Sequence, residues 1–240
     1  MRCERSNVVN MDILTAMKER RSIRAFLDKP VPEDVLKNIL DAARWAPSGV
    51  NHQPWKIMSL HSSVAAEKRL REQIRERIIT ARNNQLPENP DYHYYPQTWI
   101  DPYKARRKAC GQALYSALNI SSNETEKRKE QWYKNYDFFH APVGLIFYLD
   151  AYLEKGSWMD MGIFIQNVML AAKHYGLDTC AQAALAEYPD IIREILAISN
   201  QYHIVCGMAL GYADWSAPIN QYRTTREDID SILCAPPYPN

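Results

Sequence analysis

Residues 158–175, WMDMGIFIQNVMLAAKHY, carry apolar side chains on nearly every face of a helix. Such a helix is buried all round, either at the centre of a domain or across a subunit interface. The rest of the chain must be arranged around it. The chain has 240 residues, 46% hydrophobic and 24% charged, a globular rather than a disordered composition. A single domain of this size buries roughly 70–75% of its unfolded surface, so it needs no staples. Lys and Arg number 29 against 28 Asp and Glu, a net charge of +1. That balance argues against nucleic-acid and membrane-surface binding, which draw on excess basic charge. No stretch reaches the ~18 apolar residues of a membrane span. The opening MRCERSNVVNMD lacks the apolar core of a signal peptide. Cys3, Cys110, Cys180, Cys206 and Cys234 are scattered, with no CxxC and no metal-ligand spacing. We therefore expect a reducing, cytoplasmic setting and no metal.

The pattern predicts helices and strands in alternation. Residues 11–20 are rich in helix formers, and Val35, Leu36, Ile39, Leu40 and Ala43 form one apolar stripe after Pro32. WKIMSL after Pro54 reads as a strand, and 64–83 as a charged amphipathic helix. Residues 87–103, PENPDYHYYPQTWIDPY, form a Pro- and Tyr-rich loop, longer than the ~12–15 residues at which loops become functional or disordered. Helices are expected at 104–119 and 124–135, and PVGLIFYL at 142–149 has the length of a buried strand. Gly176 caps the apolar helix. Leu177–Cys180 forms a short strand, Pro189 starts a helix to about Ser199, and HIVCGMALGYA is the last strand. The tail from Asp214 holds four prolines and should be extended. With no repeat and no linker, residues 1–240 form one α+β domain.

Three segments can carry chemistry. Arg20, Arg21, Ser22 and Arg24 place three guanidinium groups and a hydroxyl just past a helix end. Guanidinium forks suit phosphate; equally, a solvated basic patch suits a helix C-terminus. Pro47, Ser48, Asn51 and Gln53 lie in a turn whose amides and hydroxyls can read the edge of a flat heterocycle, or simply make the turn. Arg223 and Arg226 in the tail are either solvated or complete an anion site begun by the first cluster. There is no GxGxxG, P-loop, HExxH or G-x-S-x-G. His140 and His203 are read as packing or surface residues.

Taken together, the segments R-R-S-I-R-A-F, P-V-P-E, A-A-R-W-A-P-S-G-x-N-x-Q-P-W, F-F-H-A-P-V, G-L-D-T-C-x-Q, C-G-M-A-L-G-Y and N-x-Y-R-T-x-R resemble the FMN-dependent nitroreductase family over nearly the whole chain. The middle region resembles most the branch that contains nitrobenzoate reductases. The resemblance implies a central, mainly antiparallel sheet wrapped by helices. It implies an intertwined homodimer with FMN at the interface, and a tail, 214–240, that embraces the partner subunit. It also implies FMN-dependent NAD(P)H oxidoreductase activity. Hydride from NADH or NADPH reaches flavin N5 and passes to a flat acceptor such as a nitroaromatic in a ping-pong cycle. The nicotinamide visits as a substrate, which agrees with the missing GxGxxG.

Roles carry over by position. Arg20, Arg21 and Ser22 look like ligands of the FMN phosphate and ribityl chain, and Arg24 like the cation beside the pyrimidine edge. Pro47, Ser48, Asn51 and Gln53 resemble the wall supplied by the partner. Ala181, Gln182, Ala183 and Ala184 match the loop whose backbone approaches N5, where the family often has Glu-Gly. Arg223 and Arg226 look like the closing phosphate clamp, and Asn135 is a further candidate. The cofactor does the redox step, so no catalytic side chain is named. Residues 87–136 are the expected lid. Tyr94, Tyr95 and Trp99 are expected to stack on the acceptor, against the reading that lid aromatics are core. Two other functions stand beside this one: different flavin chemistry (reductive dehalogenation or flavin destruction) and non-enzymatic flavin binding.

Overall fold

The computed structural model describes residues 11–234. Helix α1 (Ile13–Glu19) is capped by Asp12, whose carboxylate accepts from the N–H groups of Leu14 and Thr15 at 3.0 Å each. α2 (Glu33–Ala43) begins after Pro32 and buries the expected Val35, Leu36, Ile39 and Ala43. β1 (Lys56–His61) and α3 (Ala65–Asn83) follow, then α4 (Tyr103–Ala117) and α5 (Thr125–Tyr133) beyond an irregular stretch. The second half holds β2 (Val143–Asp150), α6 (Lys155–His174), β3 (Asp178–Gln182), α7 (Pro189–Leu196), β4 (Tyr202–Gly211) and α8 (Ile229–Ile232).

The four strands make one sheet in the order β1-β2-β4-β3, and every neighbouring pair is antiparallel. Helices cover both faces. Val143, Leu145, Phe147 and Leu149 of β2 pack with residues of α2 and α6 on one side. Ile146 packs with Ile74 and Ile78 of α3, Ile192 of α7 and Phe138 on the other. Burial on both faces is why the central strands read as continuous apolar runs. Two glycines let the outer layer press onto the sheet. A Cβ at Gly144 would lie 2.7 Å from the Phe138 ring, and one at Gly207 would lie 2.1 Å from Leu185 Cδ1.

One expectation is narrowed and another corrected. α6 begins at Lys155, and of the two settings expected for it, domain centre or subunit interface, a single chain covers only one side. Met161, Phe164, Val168 and Ala172 face the core, while Met159 is 70% and Ile163 41% exposed. The tail is not simply extended over residues 214–234. It holds a 3-10 turn at Pro218–Asn220 and then α8. Asn220 ties it back onto its own chain: its side chain accepts from the Arg24 N–H at 2.9 Å and donates to the carbonyls of Ala25 and Asp214 at 2.8 Å each. These bonds satisfy backbone groups that a free tail would leave unpaired. Residues 235–240 lie outside the described residues.

Residues 87–102 have no regular structure. They are pinned at one end. Asp91 accepts two bonds from Arg193, at 2.7 and 3.0 Å, and one from the Ile204 N–H at 2.8 Å. Tyr92 donates its hydroxyl to the Val205 carbonyl at 2.6 Å. α4 buries none of its residues. The segment thus lies over the domain as a cover rather than as core.

Candidate functional site

After α1 the chain becomes extended and runs beside β3. Ser22 bridges Thr179, the Ile23 N–H donates to the Thr179 carbonyl at 3.0 Å, and Ile23 is fully buried. Successive side chains of an extended segment alternate in direction. With Ile23 as the anchor on one side, Ser22 and Arg24 point to the other, over a cavity of about 600 Å³. The tail brings Arg223 and Arg226 to the same cavity. Lys18, Arg20 and Arg21 complete a lining of six cations, and among the described residues no carboxylate lines it.

The cations are only partly satisfied. Arg223 donates to the Lys18 carbonyl and lies 3.5 Å from Glu19 at the rim. Arg226 donates to the Thr224 hydroxyl at 2.8 Å. Arg21 is half committed to the tail, donating to the Asn220 carbonyl at 3.3 Å and lying 5.4 Å from the Trp215 ring centre. The Nε atoms of Arg20 and Arg21 are buried with no partner among the described residues. Burial, reinforced by the neighbouring Arg226, lowers the Arg20 pKa below the ordinary guanidinium value. A phosphate would meet the orphaned donors and offset the repulsion.

Arg24 continues the site into a narrower slot of about 170 Å³. Its guanidinium donates to the Tyr222 hydroxyl at 2.9 Å and lines both spaces. The slot is walled by Ala181, Gln182, Ala183 and Ala184 at the end of β3, by Asn135 and Trp132, and by Tyr95. Leu185, pressed onto Gly207, fixes the turn at 183–186. Gln182 donates to the Asn135 carbonyl at 2.8 Å, and its Oε1 is buried without a partner among the described residues. An anion cavity opening through a cation into a flat-walled slot fits a phosphate-bearing planar cofactor. The two orphaned guanidinium nitrogens and the orphaned amide oxygen are where such a group finds partners.

Of the lid aromatics, Tyr95 lines the slot directly. Tyr94 packs edge-on against it at 4.7 Å and borders an adjoining recess with Ala183 and Glu187. Trp99 stands behind Tyr95 at 5.5 Å and lines neither space.

Pro47, Ser48, Asn51 and Gln53 are not brought to these spaces. Their turn is held against the start of α6, with the Gly49 N–H donating to Asp160 at 3.2 Å and His52 bonded to the Ser157 hydroxyl at 3.0 Å. It faces outward: Val50 is 99% exposed, and Asn51 and Gln53 are exposed as well. Val50, Asn51 and Gln53 adopt positive φ of 44°, 59° and 48°, strained for Val. Within one chain the wall residues and the arginines do not meet.

Sequence reasoning missed Asn220 and Tyr222, which position Arg24, although both lie inside N-x-Y-R-T-x-R. It also missed Trp132 and Glu187. Glu187 borders the slot and accepts from Tyr136 at 2.9 Å and from Arg82. Burial raises its pKa against the pull of Arg82. No local motif signals that network. Among the described residues no group of His, Cys, Asp or Glu is arranged to hold a metal.

Fold and site together define an α+β protein that binds a phosphate-bearing planar cofactor under an aromatic cover. Comparison with known proteins makes this specific. The Nitroreductase family matches residues 17–212. The chain is 37% identical to the 4-nitrobenzoate reductase of Pseudomonas putida, over 90% of this chain and 92% of that one. It is 37% identical to the nitrobenzene nitroreductase of Ectopseudomonas oleovorans, over 90% and 93%. The FMN and NADPH-dependent nitroreductase NfnB of Sphigopyxis sp. strain HMH superposes with a TM-score of 0.88 at 32% identity, covering 95% of this chain and all of that one. The chain belongs to the nitroreductase family.

Proposed function

We propose that this protein is an FMN-dependent NAD(P)H oxidoreductase that reduces nitroaromatic acceptors and works as a homodimer. The observation that carries the reading is the continuity of the cationic cavity and the flat slot at Arg24. Arg20, Ser22, Arg223 and Arg226 hold the phosphate, with Arg21 contributing at the cavity wall. Arg24 sets a fixed positive charge at the ring edge, where negative charge develops during hydride uptake. Ala181, Gln182, Ala183 and Ala184 offer backbone N–H groups along the ring, and Asn135 fixes Gln182 beside it. Bound FMN supplies the redox chemistry, accepting hydride from the nicotinamide and passing it on. Tyr95, backed by Tyr94 and Trp99, covers the acceptor, and stacking supplies its orientation.

The homodimer reading rests on two outward features of one chain: the uncovered apolar face of α6 and the strained turn at 47–53. Pro47, Ser48, Asn51 and Gln53 complete the slot of the other subunit. Among the described residues no helix is long and apolar enough to cross a membrane. Cys110, Cys180, Cys206 and Cys234 are all free thiols, which supports a reducing, cytoplasmic setting. The test is a panel of acceptors with the purified yellow protein, following NADH and NADPH loss separately. Nitroarene-dependent oxidation of either supports the reading, and flavin retained without turnover of any acceptor rejects it.

A further inference from the structure

α4 opens with Lys104, Arg106, Arg107 and Lys108, and no acidic residue lies in its first turn. This is the positive end of the helix dipole, where cations cost stability. Lys104 and Lys108 also repel each other at i, i+4. The nearby carboxylates are already engaged. Asp101 accepts from the Ala105 N–H at 3.2 Å, and Glu227 pairs with Arg106 at 2.9 Å. Arg107 has no carboxylate partner among the described residues. Its guanidinium lies 4.9 Å from the Trp99 ring centre, Trp99 packs on Tyr95, and Tyr95 lines the slot.

The same helix sends Leu114 to that slot. Seven residues span about two turns, so Arg107 and Leu114 share one face, roughly 10 Å apart along the axis. Gly111 stands between them, and a Cβ there would meet no atom within 4 Å. Within one chain the face between the cation and the slot is open. Glu187, the carboxylate bordering the slot, is neutralised by Arg82.

We propose that Arg107 recognises a carboxylate on the aromatic acceptor and makes the enzyme selective for anionic nitroarenes. The inference rests on the nitroaromatic reductase reading above. The relatives named above divide between a charged and an uncharged nitroarene at equal identity, so similarity leaves the choice to this chain's own residues. Trp99 lies against the guanidinium, whose forked donors suit a bidentate carboxylate.

The test uses the FMN-loaded protein with 4-nitrobenzoate and its uncharged counterpart 4-nitrobenzamide, measuring KM for each. The wild type should favour the anion by about tenfold, a charge-assisted hydrogen bond against a neutral contact. Arg107→Gln should bring the KM ratio close to one, and Arg107→Lys should restore part of it. Arg106→Gln, which removes a cation already paired with Glu227, should keep the wild-type ratio. Bound FMN per chain and KM for NADH and NADPH are read in parallel. A ratio unmoved in Arg107→Gln overturns the inference, as does an equal rise for both acceptors, which makes Arg107 a packing partner of Trp99. A rise in KM for NADPH but not NADH overturns it too, because the anion is then the donor's phosphate. A wild type that reduces both acceptors with equal KM defeats this inference alone. One that reduces neither takes the functional reading with it.

Discussion

Arg20 and Arg223 approach the cationic cavity from segments about two hundred residues apart, and neither is needed for the core. Each charge-assisted hydrogen bond to a phosphate contributes about 1.5–3 kcal/mol. Replacing both by Ala should weaken FMN binding about a hundredfold or more, with far-UV dichroism unchanged. Fluorescence titration of the apoprotein with FMN measures this, and an unaltered affinity would place the phosphate elsewhere. Asn220 acts through structure instead. Asn220→Ala leaves the Arg24 N–H and the Ala25 and Asp214 carbonyls short of a partner at a buried site. The expected loss is about 2–3 kcal/mol, visible as a lower Tm by calorimetry. An unchanged Tm would show that the tail is held by other contacts. The arginines were legible because three guanidinium groups within five residues form a local pattern. The structural role of Asn220 was not, because its contacts span 196 positions and a single buried amide has no periodicity.

The cover over the slot and the turn beneath it make separate predictions. If Tyr94, Tyr95 and Trp99 serve the acceptor, changing all three to Ala should raise KM for nitroaromatics about tenfold, about 1.4 kcal/mol. A small quinone should be affected less. Steady-state kinetics with both acceptors decide, and unchanged aromatic KM would leave these rings as packing. The turn at 134–140 carries Asn135 and is wedged onto the sheet by Phe138. Phe138 sits at φ 50° with its ring against Gly144, so the ring has nowhere to retreat. Gly144→Ala should cost about 1–3 kcal/mol in urea unfolding, as overpacked cores do, and a neutral result would mean the turn can shift freely. The α2 stripe and the two central strands could be read from spacing and length. Left-handed backbone at Phe138, Phe139 and His140 could not, since none is Gly or Asn and tertiary packing imposes it.

The complete fold explains why one chain looks unfinished. The sheet is covered on both faces, yet α6 keeps an apolar outer side and the turn at 47–53 projects strained and exposed. Sequence spacing announced a helix with no polar face, but it could not say which part a single chain would cover. An FMN site assembled from the arginines of one subunit and the 47–53 turn of the other accounts for both features. Light scattering combined with flavin absorbance on the eluting protein joins these two claims in one experiment. The yellow species should have twice the 27.8 kDa chain mass and one FMN per chain, and dilution that separates the subunits should release the flavin. A monomer that keeps stoichiometric FMN would contradict the account.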